Sequence, residues 1–373
     1  MTKLSKNRFA LQALFLILFL STTLTGCSNI INTSYSQSSV QPSSTTAQVT
    51  TSDLTVHYID VGQADCILVQ NKGKNLLIDA GNYADYSVIE SYLTKQKVSR
   101  IHTFILTHPH EDHIGSAAKI VHNFDIGTVY MTNITASSRV YKSLMEELKL
   151  KNIKPKYPQP GDNFSLGEAA FTFLGPVAQY KDVNSMSLVV RGDFGSNSFL
   201  FTGDCTDEAE KDMLNEGVNL ETQVLKVGHH GSRDSSTYIF LKAANPVYSV
   251  ISCGTGNDYG HPHKEALSRI NDVGSTLFRT DKSGTIVATS DGSEITWNTV
   301  GTESNKEHVS DGNGLASDKD KVTYSQNYIG NKNSHVFHRP DCASLPKKKN
   351  QIKFSTRQKA LDAGYTACGK CNP

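Results

Sequence analysis

The sequence predicts an α/β fold in which sheets are covered by helices, followed by a small second domain at the C-terminal end. Three observations lead there. Apolar, β-branched runs begin near Leu54 and soon alternate with stretches of helical spacing, the pattern of sheets under helices. One of these runs, Ile101-His-Thr-Phe-Ile-Leu-Thr107, ends on His108-Pro-His-Glu-Asp-His113. Near the end of the chain, His338, Cys342, Cys368 and Cys371 recur at the spacing of a closed tetrahedral metal staple. With 373 residues the chain has room for one large domain and a small one. Its formal net charge of +1 argues for neither a polyanion nor a membrane as partner of the whole molecule.

From the N-terminus, Lys3, Lys6 and Arg8 precede the apolar run Phe9 to Leu20, and Leu24-Thr-Gly-Cys27 follows. The run is shorter than the ~20 residues that span a bilayer, so residues 1–27 read as an export signal. Leu-Thr-Gly-Cys resembles a bacterial lipobox. That implies cleavage before Cys27, lipid attachment to it, and a place on the extracytoplasmic face of the cell membrane. Residues 28–52 are dense in Ser and Thr and too poor in apolar side chains to fold, and so form a tether. The large domain is expected over 53–298, a linker of Asp, Glu, Lys, Ser and Gly over 299–324, and the small domain over 325–373.

Within the large domain, strands are expected at Leu54 to Asp60, Cys66 to Gln70, Asn75 to Asp79, Ile101 to Thr107 and Val129 to Thr132. Helices are expected at Tyr86 to Leu93, Ser116 to Phe124 and Tyr141 to Leu150. Strands return at Phe171 to Leu174, Ser187 to Arg191, Ser198 to Thr202 and Gln223 to Val227, with helices at Glu208 to Leu214 and Ser236 to Ala243. Cys66, Cys205 and Cys253 lie in or beside apolar strands and read as buried, inert thiols.

The histidine cluster carries the chemistry. His108, His110, Asp112 and His113 place three imidazoles and a carboxylate within six residues at a strand end. Such an end is a rigid place for side chains to converge. His-x-His aims two nitrogens at one ion, and the Asp-His pair can aim at a second. Imidazole with carboxylate suits zinc, and manganese or iron less exclusively. A polar loop that is rich in histidine by chance would not need this order.

His-x-His-x-Asp-His resembles the signature of the metallo-β-lactamase fold superfamily, and further matches follow in order. Asp79, in Leu76-Leu-Ile-Asp-Ala-Gly81, sits where the superfamily has a structural aspartate. Asp204, in Phe199-Leu-Phe-Thr-Gly-Asp204, sits where it has a carboxylate bridging two metals. Asp60-Val-Gly-Gln-Ala-Asp65, Leu225-Lys-Val-Gly-His-His-Gly-Ser232, Tyr259-Gly-His-Pro-His263 and Arg279-Thr-Asp-Lys-Ser-Gly-Thr285 resemble the extracytoplasmic hydrolase domain of ComEC competence proteins. The resemblance spans about residues 53 to 298. It implies a four-layer αβ/βα sandwich and a metallohydrolase holding one or two Zn2+ ions, with Mn2+ as an alternative there.

Further site residues are expected from the second half. One of His229 and His230 reaches the metal and the other the substrate, with His229 taken as the ligand. Asp112 orients a metal-bound water and takes its proton. Lys226, Ser232 and His261 offer a cation, a hydroxyl and an imidazole to a phosphate, His261 as a phosphate-binding or proton-transfer residue. The pattern departs from the superfamily at one point: between His113 and Asp204 the only histidine is His122, on the helix after the cluster. Asn184, a further candidate for the substrate, stands near where that missing ligand is expected, so either an amide or a water completes one metal or that metal is weakly held.

The C-terminal set is flanked by Tyr328 to His338 and Ala360 to Cys368, which resemble the zinc-binding domain of Ada DNA-repair proteins. That resemblance implies one structural Zn2+ on His338, Cys342, Cys368 and Cys371. Where Ada has its first, methyl-accepting cysteine this chain has His338, so methyl transfer is not expected. Over 325–373 nine basic side chains meet two acidic ones, a net of +7, which suits phosphates in DNA. An anionic wall polymer is the competing partner at an external surface. The sequence holds no multi-spanning segment, so unlike ComEC it is not expected to form a DNA channel, and a monomer is expected. The leading reading is a surface-anchored phosphodiesterase, a nuclease acting on extracellular DNA. The alternatives are an esterase on phosphorylated wall polymers and a non-catalytic DNA- or wall-binding lipoprotein.

Overall fold

The computed structural model describes residues 53–300, 328–338, 342, 344–354 and 357–369. The export signal, Cys27, the first tether, most of the linker and Cys371 lie outside the described residues.

Two seven-stranded sheets form the large domain. The first half contributes β1 (Leu54–Tyr58), β2 (Ile67–Asn71), β3 (Lys74–Ile78), α1 (Tyr86–Lys95), β4 (Arg100–Leu106), α2 (Glu111–Ile114), α3 (Ala117–Asn123), β5 (Asp125–Met131) and α4 (Arg139–Leu150). The second half contributes β6 (Asn163–Leu166), β7 (Ala169–Gly175), β8 (Val189–Phe194), β9 (Asn197–Phe201), α5 (Asp207–Asn215), β10 (Val224–Lys226), α6 (Tyr238–Ala244), β11 (Tyr248–Ile251), α7 (Lys264–Asp272), β12 (Thr276–Arg279) and α8 (Thr280–Ser283). The chain then returns to the first sheet with β13 (Thr285–Ser290) and β14 (Ile295–Val300). The strand orders are β14-β13-β1-β2-β3-β4-β5 and β12-β11-β10-β9-β8-β7-β6. β14 runs two residues into the expected linker because Thr299 and Val300 pair with Ile286 and Thr285.

Alternation along the strands builds the layers. Ile67, Val69, Leu76, Ile78 and Ile105 face the second sheet, whose Phe171, Phe173, Phe199, Phe201 and Val224 meet them in the central core. Leu68, Leu77, Phe104 and Leu106 point the other way, under Ile89, Leu93, Ile120, Leu144 and Leu148 of the first helical layer. Leu200 and Leu225 likewise pack under Phe240, Leu241 and Ile270 of the second. A one-residue slip in any inner strand would send its apolar set to the wrong core, so register and layering fix one another. The result is the four-layer αβ/βα sandwich. Cys66, Cys205 and Cys253 are buried free thiols, as their apolar neighbours imply.

In the C-terminal domain β15 (Tyr328–Asn331), β16 (Val336–His338), β17 (Gln351–Phe354), α9 (Arg357–Asp362) and β18 (Thr366–Ala367) surround a small core of Tyr328, Phe337, Phe354, Ala360 and Tyr365. Its strand order is β17-β15-β16-β18. The Tyr328 hydroxyl lies 2.7 Å from Ser268 Oγ and donates to Asp272 Oδ2 at 2.9 Å, both on α7.

The site lies where strands run out. β3, β4 and β5 are parallel, as are β9 through β12, and the segments leaving β3, β4, β9, β10 and β11 meet one another. Carboxyl ends of parallel strands are where α/β folds collect functional loops. The helix expected to begin near Ser116 is preceded by the extra turn α2, which starts inside the histidine cluster. Gly115 closes α2 against the loop after β3. Its N–H serves Glu111 O and Gly81 O, and a Cβ there would lie 2.2 Å from Tyr83 N and 2.3 Å from the Asn82 carbonyl carbon. Its φ is −55°, so the demand is for space alone. Gly115→Ala should therefore destabilise the domain by about 1–3 kcal/mol through overpacking, read as a lower urea midpoint with unchanged slope.

Candidate metal centre

Asp79, in the left-handed region at φ 59° just past β3, organises the first half of the site. Its Oδ1 accepts from Thr107 N and its Oδ2 from Thr107 Oγ1, both at 2.8 Å. Its Oδ2 also takes the His113 Nδ1 proton at 2.8 Å. That bond fixes the ring, so Nε2 of His113 is the nitrogen turned to the site and faces Asp204 Oδ1 at 3.2 Å. His108 Nδ1 lies 3.2 Å from both Thr107 Oγ1 and Ser187 Oγ. Its Nε2 is thereby turned towards His110 Nδ1 at 3.0 Å and Asp204 Oδ2 at 3.9 Å.

The second half closes on the same carboxylate. Asp204 follows β9, with its backbone N–H on Ser187 Oγ at 3.1 Å. His230 donates from Nδ1 to Ser252 O at 3.0 Å, leaving Nε2 at 3.2 Å from Asp112 Oδ2 and 3.7 Å from Asp204 Oδ1. His229 Nε2 stands 3.7 Å from the other oxygen, Asp204 Oδ2. One carboxylate thus has two imidazoles on each oxygen.

These groups fit a bound cation. His113 Nε2 and Asp204 Oδ1 are buried and face each other without forming an aligned hydrogen bond, an arrangement that is costly unless a further group satisfies both. One ligand atom each from Asp112, His113, Asp204 and His230 lies within 4.8 Å of the others. Burial draws the proton affinity of His113 down, but Asp204, Asp79 and Asp112 outweigh it and hold the ring well above the ordinary histidine range. His108 lacks that surplus of carboxylates, and burial with the neighbouring His113 pushes it well below. Burial pushes Asp112 and Asp204 up, yet the surrounding imidazoles hold both below the usual carboxylate range. The centre attracts positive charge at one end and offers neutral nitrogens at the other.

The remaining expected residues divide. His261 flanks the cluster, its Nδ1 3.3 Å from Gln63 Nε2 and its ring 5.6 Å from that of His229. Burial and the rings of His230, His263 and His229 push it down to about 4. Ser232 is buried and closes a turn, its N–H on His229 O at 2.8 Å and its Oγ accepting from Asp234 N. Asn184 sits in a short turn before β8 with its side-chain oxygen buried and without a hydrogen-bond partner. Lys226 requires a correction. Expected to meet a phosphate, it is fully buried, and its ammonium donates to Asp65 Oδ2 at 2.6 Å and Val227 O at 3.1 Å. Its charge is spent inside the protein.

Three contributors escaped sequence reading. Asp65 binds Lys226, approaches His230 Nδ1 at 3.5 Å, and donates its N–H to Asp112 O. The signal was present, an acid between Ala64 and Cys66 beside an apolar strand. Ser187 and Ser252 give none, because one acts through a hydroxyl common in any sequence and the other through its backbone carbonyl.

In the C-terminal domain β16 and β18 run parallel, with Phe337 opposite Ala367. The residues that follow them, His338 and Cys368, therefore emerge together. With Cys342 they keep their ligand atoms within 4.8 Å, and His338 Nδ1 lies 3.5 Å from Cys342 Sγ. Burial lowers the His338 pKa, which keeps the ring neutral as coordination demands.

Residues 59–255, just over half of the chain, match the metallo-beta-lactamase superfamily, and residues 315–373 match the metal binding domain of Ada. ComE operon protein 3 of Bacillus subtilis is 29% identical over 251 residues, covering 62% of this chain and 32% of that protein. Competence protein ComA of Neisseria gonorrhoeae is 29% identical over 229 residues, covering 61% and 31%. The chain thus spans about a third of the length of these relatives. Among solved structures, the metallo-beta-lactamase fold protein YhfI of Bacillus subtilis aligns with a TM-score of 0.46 at 16% identity, over 64% of this chain and 99% of that one. The chain belongs to the metallo-beta-lactamase superfamily, as a hydrolase related to competence proteins that carries an Ada-type metal-binding domain at its C-terminal end.

Proposed function

We propose that this protein is a membrane-anchored, metal-dependent phosphodiesterase that cuts DNA outside the cell. The observation that carries the reading is Asp204, a buried carboxylate with imidazoles of both sheets on each of its oxygens. Zinc or manganese held there by the histidines and Asp204 would activate water at neutral pH and offset negative charge at phosphorus. Asp112, partly exposed and with one oxygen beside His230, is placed to accept the proton of the attacking water through its carboxylate. His261 flanks the site as a neutral ring that can accept a hydrogen bond, and an anionic phosphate beside it would raise its basicity and make it a better proton acceptor.

The C-terminal domain supports a DNA substrate. Lys332, Lys347, Lys348, Lys349 and Lys353 are all exposed, and the Lys332 N–H bonds Asn350 O, which sets it beside the 347–349 run. A lipid on Cys27 would hold both domains at the outer membrane face. No helix among the described residues is long and apolar enough to cross a membrane.

Three measurements test this reading. His110→Ala and Asp204→Asn should each lower metal-supported cleavage of DNA by more than about 100-fold with far-UV circular dichroism intact, since even outer-shell changes at metal sites cost 10–100-fold. Undiminished turnover in both would remove the catalytic assignment, and turnover only on phosphorylated wall polymer would move the substrate. Cys27→Ser should release the protein into the medium or leave uncleaved precursor, whereas an unchanged mass and membrane fraction would defeat the anchor. The fragment 325–373 should unfold in strong chelator, refold with zinc, and bind DNA with an affinity that falls steeply as salt rises. Metal-loaded fragment without salt-dependent binding would defeat the DNA partner and leave the zinc site standing.

A further inference from the structure

The two-ion reading leaves one set a nitrogen short. Between His113 and Asp204 the only histidine is His122, whose exposed ring pairs with Glu147 Oε1 at 2.8 Å on α4, away from the cluster. We propose that His229 supplies the missing donor, so that the adjacent His229 and His230 serve different ions, one on each oxygen of Asp204. The proposal rests on the metal reading above and deepens it by assigning every ligand.

The backbone makes the division possible. His229 has φ 51° and ψ 46°, and His230 has φ 52° and ψ 26°. Two consecutive non-glycine residues in the left-handed region are sterically unfavourable, and such strain concentrates where function demands it. In an extended strand neighbouring side chains leave on opposite faces and could not both reach one carboxylate. Here the rings diverge, with centroids 6.3 Å apart and planes at 64°, yet each Nε2 comes to 3.7 Å from its own oxygen of Asp204.

The turn is held in this shape from several sides. His229 N–H donates to Gly203 O at 3.1 Å, Gly228 N–H to Ser236 Oγ at 3.2 Å, and His263 N–H to Gly231 O at 2.9 Å. The first of these ties the histidine pair to the residue immediately before Asp204.

The competing donors are Ser187 and Asn184. Ser187 already accepts from Asp204 N and meets His108 Nδ1. Asn184 lies on the turn before β8 with its N–H on Asp182 Oδ1, and its buried carbonyl oxygen is the alternative donor that a test has to separate from His229. With His229 included, His108, His110, His229 and Asp204 would hold the first ion. Asp112, His113, His230 and Asp204, whose ligand atoms lie within 4.8 Å of one another, would hold the second. The first set is richer in nitrogen and suits zinc, and the second, with two carboxylates, accepts manganese more readily.

The test is metal content, independent of turnover. Full-length protein carrying Cys368→Ser, to remove the C-terminal ion, is loaded with zinc, dialysed and measured by elemental analysis and chelator competition. In that background His229→Asn is introduced, because asparagine tolerates the left-handed backbone but is too short to reach the ion. The parent should hold two zinc ions and His229→Asn one, with the second retained at its parental affinity, while Asn184→Ala keeps both. Two ions of unchanged affinity in His229→Asn would overturn the proposal, as would loss of an ion in Asn184→Ala alone. Fewer than two ions in the parent would instead overturn the two-ion centre itself, and with it this assignment.

Discussion

The whole centre depends on the cost of burying the Asp204 carboxylate. A charge removed from water costs several kcal/mol after relaxation, and persists only where opposite charge and hydrogen-bond donors surround it. The chain supplies these from both sheets. His108 and His113 arrive from the end of β4, and His229 and His230 from the end of β10. His229 and His230 leave β10 beside β9 and so meet Asp204 within one sheet, whereas His108 and His113 reach it only because the two sheets pack face to face, through the phenylalanines of β7 and β9 against Ile67, Leu76 and Ile78. The ordinary apolar core therefore sets the geometry of the polar one.

The Lys226–Asp65 pair obeys the same rule and explains why a lysine stands in an apolar strand. Both side chains are buried, and a lone charge at either position would be prohibitive. Together they join β10 of the second sheet to the loop before β2 of the first, and Asp65 passes the connection on to Asp112 through a backbone hydrogen bond. The lysine beside His229 thus orders the ligands from behind. Sequence reading placed Lys226 correctly at a strand end by the site. Whether its ammonium pointed outward or inward was decided by an aspartate 161 positions away, and nothing local to the lysine carries that information.

The legible parts share a physical cause. Inner strands such as Asn75–Asp79 and Ser198–Thr202 were readable because burial on both faces demands unbroken apolar runs, and the ligands because they follow those runs directly. What stayed hidden is non-local or conformational. The return of β13 and β14 to the first sheet depends on pairing with β1, which no short window shows. α7 has helical spacing in Ala266, Leu267 and Ile270, but it opens after His263, without the hydroxyl or carboxylate cap that marks other helix starts. The left-handed pair at His229 and His230 is the clearest case. Residue type favours glycine or asparagine there, so the conformation comes from the surrounding bonds and not from propensity.

In the C-terminal domain the balance between apolar and polar cores is reversed. Among the described residues five buried hydrophobic side chains form this core, too few to hold some fifty residues alone, so a metal on the His338–Cys342–Cys368 cluster would contribute folding energy. Tyr328 connects this economy to the larger domain. Its ring fills the small core against Phe337, while its hydroxyl is held by Ser268 and Asp272 of α7. α7 begins at the loop carrying His261, and the N–H of His263 is the bond that braces Gly231 behind the paired histidines. The two metal centres are therefore joined by one helix and one tyrosine. Folding of the C-terminal domain positions a hydroxyl on the same element that supports the histidine turn.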